Sequence, residues 1–216
     1  MSKNFVVLIS GSGSNLQALI DACESGQIDG RISAVISNKA DAYGLVRAEN
    51  ANIPTHTLSH KSFASREEYD IELAKLIESH QPDLVVLAGF MRILTANFVQ
   101  KFVGKMLNIH PSLLPKYQGL NTHQRALDAG DKQHGVSVHF VTEELDGGPV
   151  VCQASIDVTS DDTAETLAQR IHKKEHIIYP LVVDWFCKGK LTMQNGAAWL
   201  DDKVLPATGI QYVEEN

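Results

Sequence analysis

Cysteine is scarce in this sequence, and the residues present, Cys23, Cys152 and Cys187, are scattered with no C-x-x-C pair. That odd number and wide spacing support neither a disulfide framework nor a zinc ribbon; the three read as buried thiols in a reducing cytoplasm. Long apolar runs are missing as well. Phe5 to Ile9 is too short for the apolar region of a signal peptide and leads into glycines, where a cleavage site would need small residues in another pattern. No segment reaches the roughly 20 apolar residues that cross a bilayer, so the expectation is a cytoplasmic protein without a membrane partner. There is also no basic run dense enough to follow a phosphate backbone. The formal charge of −7 is spread along the chain, which argues against nucleic acid as a partner. Several chemical signatures are absent too: no Gly-Lys-Ser/Thr follows a Gly-rich loop, and there is no H-E-x-x-H and no G-x-S-x-G. These absences remove the P-loop nucleotidases, the zincins and the serine-hydrolase elbow.

What is present is a regular alternation. The 216 residues suit one α/β domain with a large core, read as a nucleotide-binding half over 1–105 and a catalytic half over 106–216. Short β-rich runs, "FVVLIS" (Phe5 to Ser10), "ISAVIS" (Ile32 to Ser37), "DLVVLA" (Asp83 to Ala88) and "KMLNI" (Lys105 to Ile109), alternate with helical patterns. The clearest helix starts at Ser65, where "SREE" makes a capping box with Glu68, and ends at His80, Gln81 and Pro82. Later, "GVSVHFV" (Gly135 to Val141) and "VVCQASIDV" (Val150 to Val158) flank a turn-like "TEELDGGP" and predict an antiparallel pair. A second cap at Asp162, with Glu165, opens a helix before Pro180, and the tail after Leu191 reads as a short hairpin. The fold expected is Rossmann-like: a mostly parallel sheet flanked by helices, with antiparallel strands in the C-terminal half.

In such a sheet the ligand crevice lies outside the carboxyl ends of the strands, so the residues after each strand matter most. After the first comes "GSGSN". Gly11 and Gly13 free the backbone to turn, and Ser12, Ser14 and Asn15 offer donors at a helix N-terminus, which suits a single phosphate. A plain strand-to-helix turn explains the loop equally well. Asn108 and His110 stand two apart before Pro111, so both side chains share one face at a strand end. An amide and an imidazole so placed can meet a developing oxyanion and move a proton; a turn-capping Asn beside a core His is the alternative. Asp146, before Gly147 and Gly148, lies on a loop able to bring a carboxylate to His110. His172 and His176 are four apart on a helix, but no third ligand follows at metal-binding spacing.

Three stretches, "NIHPSLLPKYQG", "AGFMRIL" and "GVSVHFVTEELDGGPV", resemble the folate-dependent formyltransferases, and the likeness runs over nearly the whole chain. "VVLISGSGSNLQALI" narrows the resemblance to the branch that formylates glycinamide ribonucleotide in purine biosynthesis. The resemblance implies transfer of a formyl group from 10-formyltetrahydrofolate, a cosubstrate, to that small-molecule amine, with no metal and by a monomer or homodimer. Carried over by position, the catalytic trio falls on Asn108, His110 and Asp146. The phosphate is expected on Gly11, Ser12 and Gly13 with Ser14 and Asn15 beside them, and the ribose near Glu175 in "HKKE", which also contains His172, Lys173 and Lys174. The folate is expected against Arg66, the Met91, Arg92, Ile93 and Leu94 stretch, and Asn108. It would also meet the loop of Thr142, Glu143, Glu144, Leu145 and Asp146. Two positions depart from the family's pattern. Ser12 stands in a loop that often reads "GNGSN", and Asn121 stands where a histidine is expected. A hydrolase releasing formate could use the same trio, whereas a nucleotide-binding module would need only the Gly-rich loop. The segment "KYQGLNTHQRAL" around Gly119 is a candidate mobile flap.

Overall fold

A strand whose two faces are both covered needs no polar alternation, and "VVLI" has none. In the computed structural model, which describes residues 2–214, this run lies in β1 (Lys3–Ile9), and every side chain from Phe5 to Ile9 is fully buried. The chain divides into two compact units, Met1–Leu107 and Asn108–Asn216.

In the first unit, β1 is followed by α1 (Ser14–Glu24), β2 (Gly30–Ser37), α2 (Tyr43–Asn50), β3 (Thr55–Thr57), α3 (Arg66–Ser79), β4 (Leu84–Leu87) and α4 (Ala96–Lys101). The strand order is β4-β1-β2-β3, and the pairs are parallel, with Phe5 opposite Leu84 and Val7 opposite Val35. Helix α3 begins as expected: the Ser65 hydroxyl accepts from Glu68 N–H at 3.1 Å. Glu68 reaches back one residue further than a capping box requires, to Ala64 N–H at 3.2 Å. Strand β3 had no sequence signal, because Thr-His-Thr contains no apolar residue; it forms by pairing with β2, Ile36 opposite His56.

The strand β5 (Met106–His110) ends in the second unit, which continues with α5 (Thr122–Asp128), β6 (Gln133–Phe140), β7 (Val150–Asp157) and α6 (Ala164–Cys187). The strand order there is β11-β7-β6-β5, where β11 is Ile210–Gln211. β6 and β7 pair antiparallel, Val136 opposite Ala154, as the sequence pattern implies. β11 pairs parallel to β7. The tail forms more than a hairpin: β8 (Leu191–Gln194), β9 (Ala197–Leu200) and β10 (Lys203–Val204) make a separate three-stranded antiparallel sheet. The parallel strands of the first unit, flanked by helices, and the antiparallel pair of the second are those expected of the fold.

Helix α6 differs from the sequence reading at both ends. Its cap is Thr163, whose hydroxyl accepts from Thr166 N–H, and the Thr166 hydroxyl accepts from Thr163 N–H in return. Asp162 instead takes the Thr159 N–H and the Arg170 guanidinium, and these bonds hold its carboxyl well below the usual range. The helix also runs through Pro180 for seven further residues. An interior proline costs about 3 kcal/mol, and the burial of Val182, Val183 and Phe186 beyond it outweighs that cost. Among the described residues, no helix is long and apolar enough to cross a membrane.

Strand β6 buries two histidines, His134 and His139. Desolvation pushes both down to about 4. Both rings are therefore neutral in the folded state near pH 7, while in the unfolded chain a histidine takes up a proton near pH ~6.5. The unfolded state binds more protons between these limits, so stability is full above about pH 6.5 and is lost as the pH falls toward about 4. The expected slope is about 1 kcal/mol per pH unit for each histidine. Urea unfolding measured from pH 7 to 4.5 should show this decline, and His134→Gln should flatten it; an unchanged slope in the variant would show that His134 does not contribute.

Candidate active site

Pro111 follows β5 directly, so Asn108 and His110 sit at the strand's carboxyl end, two residues apart. The loop between β6 and β7 supplies the third group. It must turn sharply to do so, and Asp146 takes up a left-handed conformation at φ +50°. Two residues on, a side chain at Gly148 would collide with the Phe140 carbonyl, so only glycine lets the loop close over the end of β6.

The Asp146 carboxylate gathers the site. One oxygen, Oδ2, accepts from Gly119 N–H at 2.9 Å and lies 3.4 Å from His110 Nδ1. The other, Oδ1, faces Asn108 Nδ2 at 3.4 Å. The side chains of Asp146 and His110 are only 10% and 7% exposed, so these donors act with little competition from water. The trio expected from the sequence is thus brought within hydrogen-bonding reach, across a chain separation of up to 38 residues.

Both nitrogens of His110 face acceptors: Nδ1 faces the carboxylate, and Nε2 lies 2.8 Å from the Tyr117 carbonyl oxygen. A cationic ring satisfies both, a neutral ring only one. His139, which sequence reasoning missed, has the opposite arrangement. Its Nδ1 is 2.9 Å from the Phe140 carbonyl and must carry the proton, which leaves Nε2 as an acceptor for Asn108 Nδ2 at 3.1 Å. Burial keeps this ring neutral. Its 3.8 Å approach to Asp146 is therefore no ion pair near neutral pH. A sequence signal for His139 did exist: in "GVSVHFV", Val136, Val138 and Phe140 alternate with Gly135, Ser137 and His139, and both sets are buried. Polar residues on a buried strand face must find partners. Ser137 finds the Ser112 carbonyl at 2.6 Å and His139 finds Asn108.

The segment around Gly119 is tied down at several points. Gly119 N–H donates to Asp146, and Arg125 Nη1 donates to the Gln118 carbonyl at 2.7 Å. Asn121 is exposed, at φ +58° before α5, and makes no side-chain cap. The nearest imidazole in sequence is His123, whose Nδ1 lies 3.0 Å from His134 Nε2.

Other expected residues fall as follows. On α6, Glu175 is buried, His172 and Lys173 are exposed, and Lys174 pairs with Glu214 at 3.0 Å. His172 stacks on His176 with centroids 6.4 Å apart. Among the described residues, no three His, Cys, Asp or Glu side chains cluster as metal ligands would. Thr142 is half-buried, while Glu143, Glu144 and Leu145 are exposed. In the first unit, Arg66 is the exposed first residue of α3. Met91 and Ile93 leave 64% and 58% of their surface uncovered, Leu94 is half-buried, and Arg92 lies 4.7 Å over the Tyr69 ring. This stretch is fixed at both ends: Met91 N–H donates to Ser10 Oγ at 2.8 Å and Thr95 N–H to the buried Asp70 carboxylate at 2.7 Å. In the Gly-rich loop, Gly11 and Ser12 are exposed, Gly13 is buried at φ +72°, and Ser14 and Asn15 open α1.

Residues 3–183 match the family model described as formyl transferase. The chain is 58% identical over 206 residues to phosphoribosylglycinamide formyltransferase of Escherichia coli (strain K12), covering 95% of this chain and 97% of that protein. It is 53% identical over 207 residues to the protein of the same name from Haemophilus influenzae, covering 96% and 98%. The solved structure of phosphoribosylglycinamide formyltransferase in complex with CHES from Coxiella burnetii is similar with a TM-score of 0.95 and 54% identity, over 99% of this chain and 100% of that one. With the match spanning nearly the whole chain and the fold alike throughout, this protein belongs to the formyl transferase family.

Proposed function

We propose that the protein transfers the formyl group of 10-formyltetrahydrofolate to the amine of N1-(5-phospho-D-ribosyl)glycinamide, a step of purine biosynthesis. The observation that carries this reading is the gathering of Asn108 and His110 around the largely covered Asp146 carboxylate. It is joined by the relatives' shared name, phosphoribosylglycinamide formyltransferase.

The cosubstrate supplies the formyl carbon and a nitrogen able to leave it. As the amine attacks that carbon, negative charge grows on the formyl oxygen, and the site must supply donors there. Asn108 has one to give. Its Nδ2 carries two hydrogens; one is held by His139 at 3.1 Å, and the other makes only a 3.4 Å contact with Asp146, long enough to be exchanged for a better acceptor. His110 offers the second donor. The Tyr117 carbonyl oxygen at its Nε2 stands where another oxygen acceptor would sit, and exchange of the two leaves Asp146 in place to orient the ring. The attack forms the new C–N bond; Asp146 then assists passage of the amine's proton through water to the folate nitrogen, and the bond from carbon to that nitrogen breaks as it leaves.

Uncovered Met91 and Ile93 fit the flat ring of a folate, and Arg66 and Arg92 its carboxylates. We assign the phosphate to Gly11, Ser12 and Gly13 and the ribose to Glu175. Both substrates are small, and this chemistry calls for neither membrane, nucleic acid nor metal. The cytoplasm suits it, for a monomer or a homodimer alike.

The deciding test is to incubate the protein with 10-formyltetrahydrofolate, with and without the ribonucleotide, and to follow formylated product and formate separately. Formylated ribonucleotide is expected only with both substrates; formate released regardless would make the protein a hydrolase. Asn108→Ala should lower kcat roughly 100- to 1,000-fold with KM little changed, and an unaltered turnover would remove Asn108 from the mechanism. His139→Leu leaves the Asn108 amide without its fixed acceptor and should lower kcat about 10- to 100-fold, again with KM nearly constant in steady-state kinetics.

A further inference from the structure

The Gly-rich loop is anchored through its carbonyl oxygens, two of them by α2. Gly11 carbonyl oxygen accepts from Gly44 N–H at 3.1 Å. Ser12 carbonyl oxygen accepts from Arg47 Nε at 2.8 Å. Gly13 carbonyl oxygen accepts from Gln17 N–H at 2.9 Å, the first bond of α1. Three successive carbonyls are thus engaged by donors of the protein itself.

A trans peptide is planar, with its C=O and N–H pointing in opposite directions. Where Gly44 and Arg47 hold the oxygen ends of the Gly11–Ser12 and Ser12–Gly13 peptides, the N–H ends of Ser12 and Gly13 must face away from α2. The same bonds turn two partial negative charges away from the place an anion would occupy. Arg47 does more than Gly44 here, since a cation at a carbonyl oxygen draws electron density along the amide and makes the Gly13 N–H a stronger donor.

Arg47 is itself held in place. Its Nη1 reaches Gln17 Oε1 at 3.2 Å, and its guanidinium lies 5.0 Å over the Tyr43 ring. The backbones of loop and helix are in close contact: a Cβ built on Gly13 would lie 2.6 Å from Gly44 Cα, and one on Gly44 would lie 2.5 Å from Ile9 Cδ1. Only two glycines allow this approach, and the approach puts the Arg47 side chain within reach of Ser12.

We infer that Arg47 is a positioning residue for the substrate phosphate: its guanidinium holds the Ser12 carbonyl so that the loop presents N–H groups and no oxygen to the anion. The inference rests on the assignment of the phosphate to Gly11, Ser12 and Gly13. Arg47 does not touch the phosphate in this account, and its effect is confined to substrates that carry one.

The test pairs two substrates with three proteins. Steady-state kinetics are measured with glycinamide ribonucleotide and with glycinamide riboside, which lacks the phosphate, for the unaltered protein, Arg47→Met and Arg47→Lys. Arg47→Met should lower kcat/KM for the ribonucleotide about tenfold or more, through KM, while the riboside and the KM for 10-formyltetrahydrofolate stay nearly unchanged. Arg47→Lys should fall between, because a single ammonium cannot bond the Ser12 carbonyl and the Gln17 amide with the geometry of the fork. An equal loss on both substrates would make Arg47 merely structural and overturn the inference. So would no loss, or full recovery with Arg47→Lys, which would mean that charge alone suffices. If the unaltered protein itself does not distinguish ribonucleotide from riboside, the phosphate assignment fails, and the inference falls with it.

Discussion

A carboxylate with little access to water is tolerated only where hydrogen-bond donors replace the lost solvent, since an unpaired buried charge costs several kcal/mol. Asp146 is in that position, with a side chain 10% exposed, and its requirements organise the second unit. Gly119 N–H, His110 Nδ1 and Asn108 Nδ2 come from a loop and from the end of β5, and all converge on it. The backbone of the β6–β7 connection is shaped to deliver it, through the left-handed turn at Asp146 and the glycine that lets Phe140 pass close to Gly148. Removing the carboxylate would therefore free a strand end and a loop together.

The two histidines of the site differ because of what faces their nitrogens. His110 meets acceptors on both sides and can donate on both. His139 meets one acceptor and one donor, and burial keeps it in the neutral form that fits this pattern, at a pKa of about 4. That division gives Asn108 a fixed orientation. An amide can be turned end for end with little change in shape, so its donor end must be specified by a neighbour that can only accept. His139 Nε2 is such a neighbour, and Asn108 Oδ1 is turned away from the carboxylate as a result.

Much of the architecture could be read in the sequence because strong local signals and tertiary packing agreed. β1 is an unbroken aliphatic run, α3 opens with its cap, and β6 and β7 alternate on either side of a Gly-Gly-Pro turn. Reading failed where the deciding force was not local. β3 exists because β2 offers an open edge, since its own Thr-His-Thr carries no pattern. α6 ignores Pro180 because the burial of Val182, Val183 and Phe186 outweighs one missing bond. In the site, Asn108 and His110 were visible through their spacing and Pro111, and Asp146 through the turn that holds it. His139 was hidden in a strand pattern that looked complete without it, and Tyr117 contributes a backbone oxygen, which no side-chain motif can reveal. Arg47 was invisible for the same reason, because it acts on a carbonyl.

Both units solve one problem in the same way. A strand that ends must release its backbone from the ladder and redirect it within a few residues, and a left-handed residue does this in the shortest distance. In the first unit this residue is Gly13 at φ +72°, immediately before α1. In the second, two residues of the loops that follow β5 and β6 adopt it without being glycine: Tyr117 at φ +58° and Asp146 at φ +50°. Such a conformation costs a non-glycine residue roughly 1 to 2 kcal/mol, so it persists only where other bonds require it. At Tyr117 the carbonyl holds His110, and at Asp146 the carboxylate holds Gly119, His110 and Asn108. At these two positions the strain falls on residues whose polar groups face the candidate site, although the same conformation also occurs away from it, at Asn52 and Asn195. A glycine at Asp146 would relieve it and at the same time lose the carboxylate that these donors require.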